Sequence, residues 1–408
     1  MSGREFFRTR TVAEALTQFR PARRTRVETV PLDQALHRVP AAAIRSPSAL
    51  PGFARSTVDG YAVRAADTFG SSDGLPTYLD LVGEVQMGVA PNVVVSSGTA
   101  VAMPTGGPLP AGADAVVMVE HTAATLAATV EVMRPVGPGE GVVRADEDVA
   151  AGAELVAAGR PLRPQDLGLL AAAGVTTVAV FARPRVAVLS TGDEVVPAAT
   201  AALAPGQVRD ATASALAGLI AEAGGTPVPH GIVADDAGAL EAAMRAALAD
   251  SDLVVVSAGS SVGARDETAG VVARLGPPGI WCHGLALRPG KPTLLAECSG
   301  VVVVGLPGNP LSALVVFRLV GMPLVRLVGG VTASAPAATV PATLALPVPS
   351  AAGRLDVVQV RLVDGSAVPL FGHSALLSLL TTADGYLVVP EPATGLDAGA
   401  QVSVTVYG

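Results

Sequence analysis

Three stretches of the chain share one pattern of apolar and polar positions. Leu253-Val254-Val255-Val256, Val186-Ala187-Val188-Leu189 and Val301-Val302-Val303-Val304 are short, unbroken apolar runs, mostly β-branched. Continuous rather than alternating hydrophobicity predicts strands buried on both faces, as in a parallel sheet. Each run breaks into a polar, glycine-bearing turn. The turns are Ser257-Ala258-Gly259-Ser260-Ser261-Val262-Gly263, Ser190-Thr191-Gly192-Asp193-Glu194 and Gly305-Leu306-Pro307-Gly308-Asn309-Pro310. Ala-rich segments at 210–222 and 236–248 are helix-compatible, a helix-like segment covers 268–275, and Asn309-Pro310 has the form of a helix start, with Asn as N-cap. This is the alternation of βαβ units. Such sheets bind ligands outside the carboxyl ends of their strands, so the three turns are the candidate site.

Elsewhere the pattern changes. Thr11-Val12-Ala13-Glu14 has the capping-box form and predicts a helix to about Phe19. A strand is expected at 27–30, a helix opening at 31–36 and a helix at 164–173 stopped by Gly174. Residues 63–140 hold short β-rich runs (78–85, 93–95, 115–119, 129–133) between turn signals, the mark of a small β-domain. The tail repeats that texture at 355–363, 386–389 and 402–407, with a helix-like 375–380 after Gly372-His373-Ser374. The fold class expected is multidomain α/β plus β: a central parallel α/β domain, a mixed N-terminal domain, an inserted β-domain and a small C-terminal β-domain.

Composition sharpens this. Of 408 residues half are hydrophobic but only 3% aromatic, so the core must be Ala, Val and Leu. A net charge of −8 argues against a nucleic-acid surface. Two cysteines and a charged N-terminus without an apolar centre fit a reducing compartment, and the uncharged apolar stretch at 167–182 is too short to span a bilayer. A cytoplasmic protein is expected, with neither membrane nor nucleic-acid partner. Lys291 is the one lysine among 27 basic residues, which marks a place where a compact ammonium is wanted. The histidines lack metal-ligand spacing, and neither a nucleophile elbow nor a Walker A sequence occurs. What remains are loop carboxylates (Asp59, Asp148, Asp193, Glu194, Asp235, Asp236, Asp266), hydroxyls, glycine N–H groups and one lysine. Carboxylates beside phosphate groups are how Mg²⁺ is usually held. The inventory points to Mg²⁺-dependent chemistry on a phosphorylated or nucleotide-like ligand.

These motifs resemble the molybdopterin molybdenumtransferase family, to which the C-terminal domain of gephyrin is related. The carriers are VDGYAV at 58–63, PLPAGADAVV at 108–117, PRVAVLSTGDEVV at 184–196, SVGARD at 261–266, RPGKP at 288–292 and GLPGNPLSA at 305–313. The resemblance implies that adenylylated molybdopterin binds in a dimer-interface cleft, that molybdate and Mg²⁺ enter, and that the pyrophosphate link is cleaved with release of AMP. It implies catalytic roles for Asp59, Thr105, Asp148, Glu194 and Asp266, with Glu194 and Asp266 at Mg²⁺. Substrate contacts are expected from Ser190, Thr191, Gly192, Ser257, Gly259, Ser261, Gly263, Arg288, Lys291, Pro307, Asn309 and Pro310. A homodimer is implied, with Asp59 and Thr105 supplied by the partner subunit, and a molybdopterin adenylyltransferase as delivering partner. The implied domains are 1–49 with 141–182, an insert at 50–140, the α/β domain at 183–328 and a β-domain at 329–408. Departures from the family pattern at 54–57, 211–212 and 258–265 motivate a second reading, a paralogue that binds the pterin without turning it over. A preference for tungstate over molybdate is a third.

Overall fold

The computed structural model describes residues 9–125, 128–257, 262–333 and 336–407, with side chains at 262–266 outside the description. The three apolar runs become strands Arg185–Thr191, Leu253–Ser257 and Val301–Leu306, each almost wholly buried. They lie in one six-stranded sheet. Thr226–Val233, Arg185–Thr191, Leu253–Ser257 and Val301–Leu306 run parallel in that order. The sheet is not parallel throughout. Leu294–Cys298 and Pro278–His283 extend it antiparallel on one edge. The hairpin into Val301 turns at Ser299 and Gly300, both at positive φ, the conformation that right-twisted hairpins favour.

Helices cover both faces. Ala211–Glu222 and Ala237–Asp250 are capped by Asp210 and Asp236, each accepting from a backbone N–H three residues on. One apolar layer joins Val186, Val255 and Val304 to the helical run Pro310–Val328, to Val12 and Ala15 of the N-terminal helix Val12–Gln18 and Phe19 just after it, and to Val357 and Tyr386 of the tail. The other packs Ala187, Val254 and Val303 against Leu240 and Met244. Fully burying one such valine contributes about 1.5–3 kcal/mol, so the sheet is a rigid base for its loops. The run Pro310–Val328 is 19 residues long and apolar enough to reach across a bilayer, yet 72% of it is buried in the protein, as a core helix is. Within it a π-turn at Phe317–Gly321 brings Gly321 against the Phe317 ring, where a Cβ would stand 2.2 Å away.

The β-domain is a six-stranded sheet. Gly60–Val63 lies between Ala115–Met118 and Thr99–Met103, followed by Thr77–Glu84, Thr129–Val132 and Thr122–Ala124. Near the N-terminus, Val27–Pro31 pairs with Thr177–Phe181. In the tail, Leu355–Val363, Ser366–Pro369, Thr339–Leu344, Gln401–Val406 and Gly385–Val389 pair in a ring that closes back on Leu355–Val363. This is a five-stranded barrel, and closure removes the open edges. Leu287–Arg288 of the α/β domain adds to Leu355–Val363, which ties the barrel to the central sheet.

Some expected elements differ. The opening at 31–36 is one 3₁₀ turn, Leu32–Gln34. Val93 to Val95 forms an isolated bridge, Val94 to Ala111, because the strand there pairs over one residue only. The tail helix is Ser378–Thr382, later than 375–380. Residues 262–267 read as a polar loop, yet the helix spans Val262–Val272; Arg and Glu are good helix formers and extend it.

Candidate functional site

Parallel order places Thr191, Ser257 and Leu306 at the same end of the sheet. The antiparallel edge brings a fourth segment there: Leu294 pairs with Gly305 and His283 with Leu294, so the loop 284–293 projects from that end too. The strand order reverses between Arg185–Thr191 and Leu253–Ser257, which is the topological switch point where open α/β sheets bind ligands. Two buried serines meet at that point. The Ser257 hydroxyl donates to Ser190 Oγ at 3.3 Å. Thr191 beside them is also buried.

Gly192 follows with φ of +138°, and a Cβ there would stand 2.7 Å from the Glu194 carboxylate. Only glycine therefore lets the turn fold Glu194 back over it. Glu194 shares this rim with Asp193 and Asp235, whose N–H donates to Asp193 Oδ1 at 3.1 Å. Asp235 is held above the usual carboxylate range by loss of solvent and by the charges of Asp193 and Glu194. This is unneutralised negative potential on one side of the switch point. Among the described residues no group of three such side chains could hold a metal ion by itself.

A cleft formed partly by the loop 284–293 of the same sheet end is cationic. Of about 860 Å³, it separates the sheet end from the barrel. Its sheet-side wall carries Arg288, Lys291, Pro307 and Asn309. Backbone bonds fix the lysine loop. Thr293, fully buried, donates its hydroxyl to Gly290 O at 2.6 Å, and Lys291 O accepts from the N–H groups of Leu285 and Thr293. The Lys291 side chain itself is exposed and in no ion pair with the described residues. The barrel wall supplies Arg354, Asp356, Gln359, His373 and Ser374. Buried Asp356 accepts from Arg354 at 2.8 Å and stands 3.5 Å from Arg288, holding both guanidinium groups at the cleft.

Asn309 occupies the N-cap position, but its side chain makes no capping bond. Its amide instead donates to Ser374 Oγ at 3.0 Å, across the cleft. The capping role expected from Asn309-Pro310 is thus replaced by a link between domains, with Pro310 opening the helix Pro310–Val316.

Asp59 and Thr105 lie together on the β-domain. The Thr105 N–H and hydroxyl both donate to Asp59 Oδ1, at 2.8 and 3.0 Å, and these bonds lower the Asp59 pKa. Gly60, next in the chain, lets the strand lie close against Ala115–Met118, since a Cβ there would stand 1.9 Å from Val117 O. Asp148 sits on a separate exposed loop whose N–H donates to Leu50 O. Among the described residues no hydrogen bond or ion pair joins Asp59 or Asp148 to the sheet end. Gly259 and Ser261 lie outside the described residues. Gly263 and Asp266 fall on the helix Val262–Val272, with their side chains outside the description. The free, buried Cys282 and Cys298 have thiols pushed up to about 12 and about 11 by burial, so both are inert.

Sequence reasoning singled out Gly372-His373-Ser374 but missed the strand that forms the rest of the barrel wall. Its only signal was polar residues at buried positions of a strand: Asp356 and Gln359 are both buried within Leu355–Val363. It noted Asp235 as a loop carboxylate but did not place it beside Glu194.

Comparison with known proteins covers the same ground. Residues 10–174 match the profile of the MoeA N-terminal region (domains I and II), 187–327 that of a probable molybdopterin binding domain, and 341–407 that of the MoeA C-terminal region (domain IV). Molybdopterin molybdenumtransferase 2 of Mycobacterium tuberculosis is 34% identical over 404 residues, 97% of each chain. Molybdopterin molybdenumtransferase of Bacillus subtilis is 30% identical, covering 92% of this chain and 89% of that one. A crystal structure of a molybdopterin biosynthesis MoeA protein from Pyrococcus horikoshii superposes with a TM-score of 0.82 at 36% identity, covering 98% of this chain and 99% of that chain.

Proposed function

The chain belongs to the molybdopterin molybdenumtransferase family, enzymes of molybdenum cofactor biosynthesis, and on that premise we propose that it inserts molybdate into adenylylated molybdopterin with release of AMP, in a Mg²⁺-dependent reaction in the cytoplasm. The observation that carries this reading is the charge distribution at the carboxyl end of the sheet. Carboxylates crowd the turn after Arg185–Thr191, and Lys291, in no ion pair with the described residues, lines a cleft with Arg288 and Arg354. A dianionic oxyanion suits the cationic wall, and a phosphoanhydride held with a divalent cation suits the acidic one.

In this account Ser190, Thr191, Gly192 and Ser257, with Gly259, Ser261 and Gly263, hold the nucleotide phosphates. Arg288, Lys291, Pro307, Asn309 and Pro310 frame the oxyanion. Glu194, Asp235 and Asp266 would hold Mg²⁺, which neutralises phosphate charge there. Asp59 is kept ionised by its two bonds from Thr105, the state required to orient or deprotonate an oxygen nucleophile. A water oxygen bonds to the pterin's phosphorus as its phosphoanhydride P–O bond breaks; the water's proton passes to the Asp59 carboxylate, and AMP leaves with the electron pair of the broken bond. Asp59 and Thr105 reach the site from the second subunit of a homodimer, and an adenylyltransferase delivers the substrate.

Asp59→Ala and Glu194→Ala should each abolish turnover while circular dichroism and thermal unfolding stay near wild type. Wild-type turnover in either variant removes that residue from the assignment.

A further inference from the structure

A second polar cavity, of about 450 Å³, opens at the other end of the central sheet, where Arg185–Thr191 and Leu253–Ser257 begin. It lies one strand length, about 20 Å, from the candidate site. Arg26, Glu28 and Arg38 line it beside the paired strands Val27–Pro31 and Thr177–Phe181, and Arg183, Arg185, Asp250 and Asp252 line it from the α/β unit. Four guanidinium groups meet three carboxylates there, so the cavity is net positive in a chain of net charge −8. Its acids are already engaged. Asp250 accepts from Ser251, meets His230 Nε2 at 3.2 Å and pairs with Arg185, whose N–H donates to Asp252 at 2.8 Å. Glu28 is shared by Arg38 and, at 3.7 Å, by Arg26. Two cations are left with donors to spare. The Arg38 side chain, 9% exposed, donates only through Nη2, to Glu28 and to the Phe181 carbonyl at 3.0 Å. Its Nε and Nη1 have no partner among the described residues, and neither is sealed from solvent. The exposed Arg183 side chain forms no hydrogen bond or ion pair among the described residues. Such donors call for an acceptor inside the cavity, and a cavity of this volume holds a small ligand.

We propose that this cavity binds a dianionic phosphate group, either inorganic phosphate or the phosphate of a small monoester, with Arg38 as its fixed base and Arg26 and Arg183 closing on it. Glu28 holds Arg38 in place, so its spare donors are aimed before the ligand arrives, and planar guanidinium groups match phosphate oxygens well. Arg26 and Arg183 stand on opposite walls, so a bound phosphate ties the paired strands to the α/β unit. The site does not depend on the function proposed above, and no covalent step is involved.

The test is isothermal titration calorimetry and thermal unfolding of the full chain at fixed ionic strength, with inorganic phosphate and ribose 5-phosphate as probes and chloride as the control. At least one phosphate probe should bind saturably and raise the unfolding midpoint, and chloride should do neither. Arg183→Ala should weaken binding at least tenfold, as expected for a lost hydrogen bond to a charged group. Arg38→Lys keeps a charge facing Glu28 but lacks the spare nitrogens, and should weaken binding to a similar degree. Lys291→Ala, which alters the cleft at the opposite end of the sheet, should leave it unchanged. If Arg38→Lys does not fold, Arg183→Ala, at an exposed side chain, carries the test. Binding of inorganic phosphate alone supports the site and makes its ligand the free anion; tighter binding of ribose 5-phosphate supports it and makes the ligand a phosphorylated metabolite. No saturable binding of either probe, wild-type affinity in a folded Arg183→Ala, or loss of binding in Lys291→Ala overturns this inference and leaves the proposed function standing.

Discussion

Gly290→Ala perturbs the loop that carries the lone lysine. Gly290 is buried, has φ of +131°, and a Cβ there would stand 2.5 Å from Val316 Cγ2 and 2.9 Å from Leu287 Cδ2. Two costs follow. Holding a non-glycine residue in that backbone region costs about 1–3 kcal/mol, and overpacking against two fixed aliphatic side chains costs about 1–3 kcal/mol more. A total near 3 kcal/mol would lower the unfolding midpoint by roughly 6–12 °C at about 2–4 °C per kcal/mol for a cooperative unit of this size. Gly224→Ala is the control. It lies in the same α/β unit with φ of +87°, but nothing stands within 4 Å of its Cβ, so only backbone strain of about 1–2 kcal/mol applies. Val316 belongs to the core helix and cannot retreat, so relief must come from the loop, and with it Lys291. The assays are differential scanning calorimetry and KM for molybdate. Gly290→Ala should be clearly less stable than Gly224→Ala and should raise KM at least several-fold. Equal midpoints and an unchanged KM would refute the claim that this glycine fixes the lysine.

Lys291→Ala should raise KM for molybdate by about tenfold or more, and Lys291→Arg should recover only part of the loss, because a planar guanidinium does not replace a compact ammonium; steady-state kinetics at fixed ionic strength checks both. Asp235→Asn tests the acidic side. A carboxyl raised above its unfolded value adds most stability when protonated, below its unfolded pKa near about 4, and loses it as pH rises through the folded value. Asp235→Asn should therefore unfold at higher temperature than wild type at pH 7 and lose that advantage toward pH 4. Mg²⁺ should raise the wild-type midpoint more than the variant's. Equal midpoints across that pH range would show that Asp193 and Glu194 do not press on Asp235.

The central strands were legible because unbroken valine runs have few alternatives, and the turns after them were legible because glycine and polar residues interrupt those runs. The caps Asp210 and Asp236 stood where helix periodicity began. Three things were not legible. The antiparallel edge Leu294–Cys298 is a buried apolar run like its parallel neighbours, and direction is set by the Ser299-Gly300 turn rather than by the run. Barrel closure depends on pairing between strands far apart in sequence, Gly385–Val389 with Leu355–Val363. The Asn309 side chain has two competing uses, a cap or a contact, and only the position of Ser374 decides between them. The candidate site was legible on the sheet side because its residues follow the strands directly. Its barrel wall, Arg354, Asp356 and Gln359, was not, because alternating strands place polar residues inside or outside with equal ease.

The measurement that tests the account most directly is AMP release from adenylylated molybdopterin by the purified full chain, with and without molybdate and Mg²⁺. The account predicts release that requires both. Release without molybdate, or tight binding of the adenylylated pterin with no release under any condition, would contradict it; the latter would make the chain a pterin-binding protein.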